Sequence, residues 1–236
     1  MSRAKKKAAP AVGPLRLVCI GDTHGFHRRL VLPPGDILIH AGDFDGRSVE
    51  AVDDFNLWLG SLPFRHRIVI AGNHDTLFDW KPKLARAHLT EATYLQDSGI
   101  HLEGLNFWGS PVNSVMGEDW AFSRERGAAI RKHWDRIPAD TDVLITHKAP
   151  YGTLDKNHIL AKHGGCQNLL FGSSQGSMSS ATSTASTAAM CHRQLKLPHF
   201  AALPAVEFGP GPDRDGGSFV LRRVVSAVFA GSDFCD

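Results

Sequence analysis

Four short apolar runs in this chain each end in side chains of metal-binding type. LRLVCI runs into Gly21-Asp22-Thr23-His24 and DILIHA into Gly42-Asp43-Phe44. RIVIA runs into Gly72-Asn73-His74-Asp75, and DVLI into Thr146-His147. A run of Val, Ile and Leu bounded by glycine or proline reads as a buried strand. In an open α/β sheet the carboxyl ends of the strands face one crevice, where ligands bind. Groups far apart in sequence can therefore meet there, as a centre of oxygen and nitrogen donors.

Around these runs the pattern alternates. Strands are expected at 15–20, 36–41, 67–71 and 142–146, and helices near 47–61, 82–88 and 123–136. Ser123 is the expected N-cap of the last helix. Between them, residues 93–112 carry apolar segments split by Asp-Ser-Gly and Glu-Gly, a hairpin signal. Strands alternating with helices, then a hairpin, imply a mixed sheet with helices outside. Residues 1–14 read as a disordered leader and 15–170 as the folded domain. Residues 171–236 read as a low-complexity, atypical tail. From Gly172 to Ala189 every residue except Gln175 and Met178 is Gly, Ser, Thr or Ala. Such a stretch buries too little apolar area to offset its chain entropy. Beyond it, only residues 219–231 have the composition of a terminal strand or helix.

Composition excludes more than it assigns. An apolar fraction of 42% is enough for a real core. A net charge of +2 is no nucleic-acid footprint. The basic residues Arg28, Arg29, Arg65, His66 and Arg67 are scattered, without an aromatic platform between them. Cys19, Cys166, Cys191 and Cys235 form no CxxC pair, so neither a zinc knuckle nor a disulfide framework is indicated. The N-terminal stretch is basic but has no apolar signal core, and no segment is long enough to span a bilayer. A cytoplasmic location is the default expectation.

Taken singly, each motif has a bland reading. Asp22 and Asp43 are also turn formers, GNHD is common turn chemistry, and His147 reads equally as a core histidine. In extended chain Asp22 and His24 point to one side and can reach one cation. Asn73 and His74 face opposite ways, which suits Asn73 as an oxygen ligand and His74 as a group aimed at substrate. Asp75 is then placed to hold the second nitrogen of His74 and fix its tautomer. All four motifs in order, each at a strand end, favour a site.

GDTHG, GDFDG, GNHD and THKAPYG together resemble the calcineurin-like metallophosphoesterase superfamily. LIHAGDFDGRSVEAVDDFNLWLGSLPFRHRIVIAGNHD and DSGIHLEGLNFWGSPV narrow the resemblance to its MPPED-type subgroup. It covers roughly residues 15–170. It implies an α/β fold, an α/β/β/α sandwich with mixed sheets, whose C-terminal part is here incomplete or disordered. It implies two divalent metal ions, with Mn, Fe, Zn, Mg and Ni all compatible with such donors. Asp22 and His24 would bind one ion, Asp43 would bridge, and Asn73 and His147 would bind the other. His74 would contact the phosphate, with protonation of the leaving oxygen a further role. A hydroxide shared by the two cations would attack phosphorus in line, making the chain a phosphoesterase acting on phosphodiesters. The expected partner is a small phosphate ester; no specific nucleic acid and no membrane are expected.

One family feature is missing. The superfamily completes its site with a GHxH motif, and this chain has no HxH anywhere. The Ser/Thr/Ala tract stands where that strand and loop should follow. A spliced, frame-shifted or degenerate origin of the tail is one explanation. Loss of those ligands implies weaker metal binding, lower activity and an open sheet edge. The rival reading is therefore a non-catalytic pseudo-phosphoesterase that binds a phosphate ligand or a partner protein. Gly172-Ser173-Ser174-Gln175-Gly176 matches the GxSxG nucleophile elbow, but lacks the strand and helix that motif requires.

Overall fold

The computed structural model describes residues 15–114, 120–152, 164–172, 206–210, 219–221 and 228–229. Strands β1 (Leu15–Gly21), β2 (Ile37–His40) and β3 (His66–Val69) run parallel and adjacent, as the apolar runs predict. Both faces of these strands are covered, which explains their continuous apolar character. Leu17, Ile37, Ile39 and Ile68 face a second sheet, and Val18, Ile20, Leu38 and Val69 face helices.

Helix α1 (Val49–Ser61) packs on the first sheet with α2 (Thr76–Trp80) and α3 (Pro82–His88). Ser48 caps α1, its Oγ accepting from Ala51 N–H at 3.3 Å. The second sheet is a hairpin, β5 (Ser98–Leu102) and β6 (Leu105–Ser110), extended by parallel β9 (Val143–Thr146). Phe107, Val143 and Ile145 close the space between the sheets. On its outer side α4 (Ala128–Trp134) and α5 (Gln167–Gly172) pack through Ile130, Trp134, Cys166 and Leu169. The layers are α/β/β/α.

Two local expectations are corrected. Helix α4 starts five residues later than predicted, because Gly127 takes a positive φ of 94° and turns the chain there. Ser123 is not its N-cap; it lies in β8 (Ser123–Arg124), paired with β7 (Asn113–Ser114). Helix α2 was not foreseen, since five residues are too few for an apolar period to show. The first sheet ends in β4 (Thr93–Tyr94) beyond β3. On the other side of β1, tail segments β10 (Val206–Pro210) and β12 (Val228–Phe229) pair with it, and β11 (Phe219–Leu221) pairs with β10. β1 is thus paired on both sides, while β9 ends the second sheet among the described residues. Residues 1–14 and the rest of the tail, with Cys191, Cys235 and most of the GxSxG match, lie outside the described residues. Among those described, no helix is long and apolar enough to cross a membrane.

His40 closes β2 in a nest of aromatic rings, 5.0 Å from Phe55 and 5.7 Å from Phe44. Gly42 N–H donates to its Nδ1 at 3.2 Å, so its proton sits on Nε2, which donates to Thr23 Oγ1 at 2.9 Å. Burial holds its pKa down to about 3. The unfolded chain takes up this proton near pH 6.5, so stability is full above that pH and is lost as pH falls toward 3. Between pH 6.5 and 4 the effect is about 3 kcal/mol. Urea unfolding across this range will show a steeper loss for the wild type than for His40→Gln. Equal slopes would refute the buried neutral imidazole.

Candidate metal centre

Backbone hydrogen bonds lace the loops after β1, β2 and β3 into one surface. Asp22 N–H donates to Gly42 O at 2.9 Å, and His24 N–H donates to Asp43 O at 2.9 Å. Asp22, His24 and Asp43 all sit at positive φ (49°, 41° and 57°), a region that side chains other than glycine rarely occupy. Three such residues at one point mark strain held by the surrounding contacts. Gly42 and Gly72 lie back to back: a Cβ on Gly42 would come within 2.6 Å of Gly72 N. A Cβ on Gly72 would meet Asp43 N at 2.6 Å and His147 Cε1 at 2.7 Å. Only glycine lets the β2 and β3 loops approach this closely.

Asp43 Oδ2 is the hub. It lies 3.5 Å from His147 Nε2, 3.8 Å from His24 Nε2 and 3.9 Å from His74 Nε2. These separations are too long for good hydrogen bonds. They suit ligands that share a cation, since two metal–ligand bonds of about 2.1 Å leave the donors roughly 3–4 Å apart. Donor atoms of Asp22, Asp43 and His147 all lie within 4.8 Å of one another, and so do those of His24, Asp43 and His74. Asp43 belongs to both trios.

Two observations test the fit of a cation here. His147 Nδ1 stands 2.9 Å from the carbonyl of Ala41, to which it must donate. Its Nε2 is therefore a bare lone pair, yet it faces Asn73 Oδ1 at 3.0 Å and Asp43 Oδ2 at 3.5 Å. Three lone pairs converge with no proton between them. Asp22 Oδ2 is buried and has no hydrogen-bond partner among the described residues. Burial and the facing Asp43 push the Asp22 carboxyl well above its ordinary range. Burial also opposes ionisation of Asp43, but His147, His74 and the His74 N–H hold it below its ordinary value. A cation relieves both the lone-pair conflict and the carboxylate conflict. The donors fit.

Asp22, His24, Asp43, Asn73, His74 and His147 are thus brought together. The division between them differs from the expected one: Asp22 groups with His147, and His24 with His74. Asp75 is elsewhere. It is fully buried, and its oxygens accept four backbone N–H groups: Asp43 at 2.8 Å, Phe44 at 3.1 Å, Gly46 at 2.7 Å and Gly72 at 2.7 Å. It does not hold His74, whose Nδ1 meets Arg47 Nη2 at 2.8 Å instead. Its lone pairs are spent on the loops. Sequence reading also missed Arg47, the Trp120 ring 4.4 Å from His74, and the mostly buried Lys148, whose pKa burial lowers. Lys148 stands inside THKAPYG, but nothing in the string assigns it or the other two a place in the site, which each gains only by folding. His158, His163, His192 and His199 lie outside the described residues.

Residues 15–172 match the calcineurin-like phosphoesterase family. The human metallophosphoesterase domain-containing protein 1 is 37% identical over 182 residues, covering 67% of this chain and 56% of the relative. The mouse protein of the same name shows the same figures. A UPF0046 protein of Caenorhabditis elegans is 36% identical over 172 residues, covering 66% of this chain and 58% of its own length. The chain therefore spans a little over half the length of these relatives.

The glycine contact yields a test. Gly72→Ala will push Asp43 and His147 apart and weaken Mn²⁺ binding by about tenfold or more, measured by titration calorimetry on metal-free protein. Unchanged affinity would show that the two loops need not touch.

Proposed function

The chain belongs to the calcineurin-like phosphoesterase family, and on that premise we propose that it hydrolyses phosphate esters, phosphodiesters foremost. The observation that carries this reading is the Asp43 carboxylate, whose Oδ2 faces Nε2 of His147, His24 and His74 at 3.5, 3.8 and 3.9 Å. Asp22, Asp43, Asn73 and His147 would hold one divalent ion, and His24 and Asp43 a second. Bound cations supply charge neutralisation and an acidified water as nucleophile. The chain's own part is to fix the donors in advance, through the strained loops and the glycine contact. His147 is held by Ala41 O with its lone pair inward, so no reorientation is needed on loading. His74 lies at the rim of the site, its Nε2 toward Asp43, and is placed to meet the phosphoryl group. Donors of this mixed oxygen and nitrogen type accept Mn, Fe, Zn, Mg or Ni.

The missing HxH motif supports a second reading, a pseudo-phosphoesterase that binds phosphate without turning it over. One experiment separates the two. Bis(p-nitrophenyl) phosphate is incubated with wild type and with Asp43→Asn, with Mn²⁺ and after chelation. The enzyme reading expects hydrolysis that needs Mn²⁺ and falls by about a hundredfold or more in the variant. No hydrolysis by either protein would overturn it in favour of the rival. Titration of metal-free wild type with Mn²⁺ is expected to show two binding events, both weakened in Asp43→Asn.

A further inference from the structure

Of the three histidines that point Nε2 at Asp43 Oδ2, His147 and His74 have opposite groups behind them. Behind His147 is a carbonyl, which can only accept. Behind His74 is the guanidinium of Arg47, which can only donate: Nη2 stands 2.8 Å from Nδ1. Nδ1 of His74 must therefore be the unprotonated nitrogen, and the ring proton sits on Nε2, 3.9 Å from Asp43 Oδ2. Arg47 is itself steered by Asp45, whose Oδ1 lies 3.1 Å from Nε. The His74 ring is held edge-on between Trp120, at 4.4 Å, and His24, at 4.8 Å. The direction of the Nε2–H bond is thus fixed from three sides.

We propose that Arg47 is a positioning residue that locks His74 as a neutral imidazole protonated on Nε2, making His74 a hydrogen-bond donor to a phosphoryl oxygen. Two other roles are thereby closed to it. A metal ligand needs a lone pair on Nε2, which here carries the proton. A general acid needs the imidazolium, whose Nδ1 proton would collide with the Arg47 donor. A neutral ring that surrendered its Nε2 proton would be left as imidazolate, a poor product at neutral pH. In ester cleavage a water-derived oxygen would bond to phosphorus as the P–O bond to the leaving oxygen breaks with its electron pair on that oxygen, which then takes its proton from water. His74 keeps its own proton and stabilises the charge on the phosphoryl oxygen. Nothing in the GDFDGRS string announces this, because Arg47 and His74 lie in different loops.

The catalytic part of this inference rests on the phosphoesterase reading; the tautomer does not. Metal-free ¹⁵N-labelled protein at neutral pH, with His74 assigned by its absence in His74→Ala, reports the ring directly in long-range ¹H–¹⁵N spectra. The expected result is protonated Nε2 and bare Nδ1, changing to a mixture of tautomers in Arg47→Ala and restored in part by Arg47→Lys. A protonated Nδ1 in the wild type would overturn the proposal. For catalysis, bis(p-nitrophenyl) phosphate and diphenyl phosphate are compared. Arg47→Ala and His74→Ala are each expected to slow the two substrates by the same factor, within about fivefold. A proton donor is needed more by the poorer leaving group, so a larger bias against the phenyl ester would overturn the donor role. If wild type turns over neither ester, the phosphoesterase reading fails, while the spectra still decide what Arg47 does.

Discussion

The structure of the site depends on one buried carboxylate that faces away from any substrate. Asp75 accepts four backbone N–H groups, three from the loop after β2 and one from the loop after β3. A carboxyl group wholly removed from water is costly unless its lone pairs are filled, and here they are filled by groups that would otherwise be orphaned at two strand ends. The arrangement is mutual: the loops satisfy the carboxyl oxygens and the carboxyl group orders the loops. Burial and Asp43 push the Asp75 pKa up to about 8, with the N–H donors pulling against them. Without this clamp, Gly42 and Gly72 would have no reason to lie back to back. Asp43 would then not stand where three imidazoles converge.

From that anchor the charge pattern follows. Asp22, Asp43 and Asp75 crowd a small dry volume, and burial disfavours the charged form of His147 beside them. Two like charges in low dielectric repel strongly, so the set is poised for positive charge from outside. The histidines are not equivalent despite pointing at one oxygen. A carbonyl behind His147 and a guanidinium behind His74 assign opposite tautomers, and with them opposite chemistry: a lone pair in one case, a proton in the other.

Much of the architecture was legible in the sequence. The apolar runs placed the parallel strands to within a residue or two, because strands buried on both faces need unbroken Val, Ile and Leu. The Glu-Gly turn marked the β5–β6 hairpin, and Pro82 began α3 where its missing N–H does no harm. Failures occurred where long-range contacts outvoted local signals. Ser123 looked like a cap but was drawn into β8, and a glycine with positive φ started α4 instead. Asp75 looked like a partner for its neighbour His74, since sequence reading weighs adjacency. The fold gave it four backbone donors from elsewhere and gave His74 an arginine.

What the sequence determined alone is the inventory: which donors sit at strand ends, and that parallel strands would carry them to one edge. Composition and periodicity suffice for that, because they are local and repeat along the chain. What only the tertiary structure decided is the assignment of roles. Which carboxylate is the hub, which is a clamp, and which ring nitrogen carries a proton all depend on groups that meet across loops. Hydrogen-bond direction is a property of pairs in space, and no single stretch of chain contains both members.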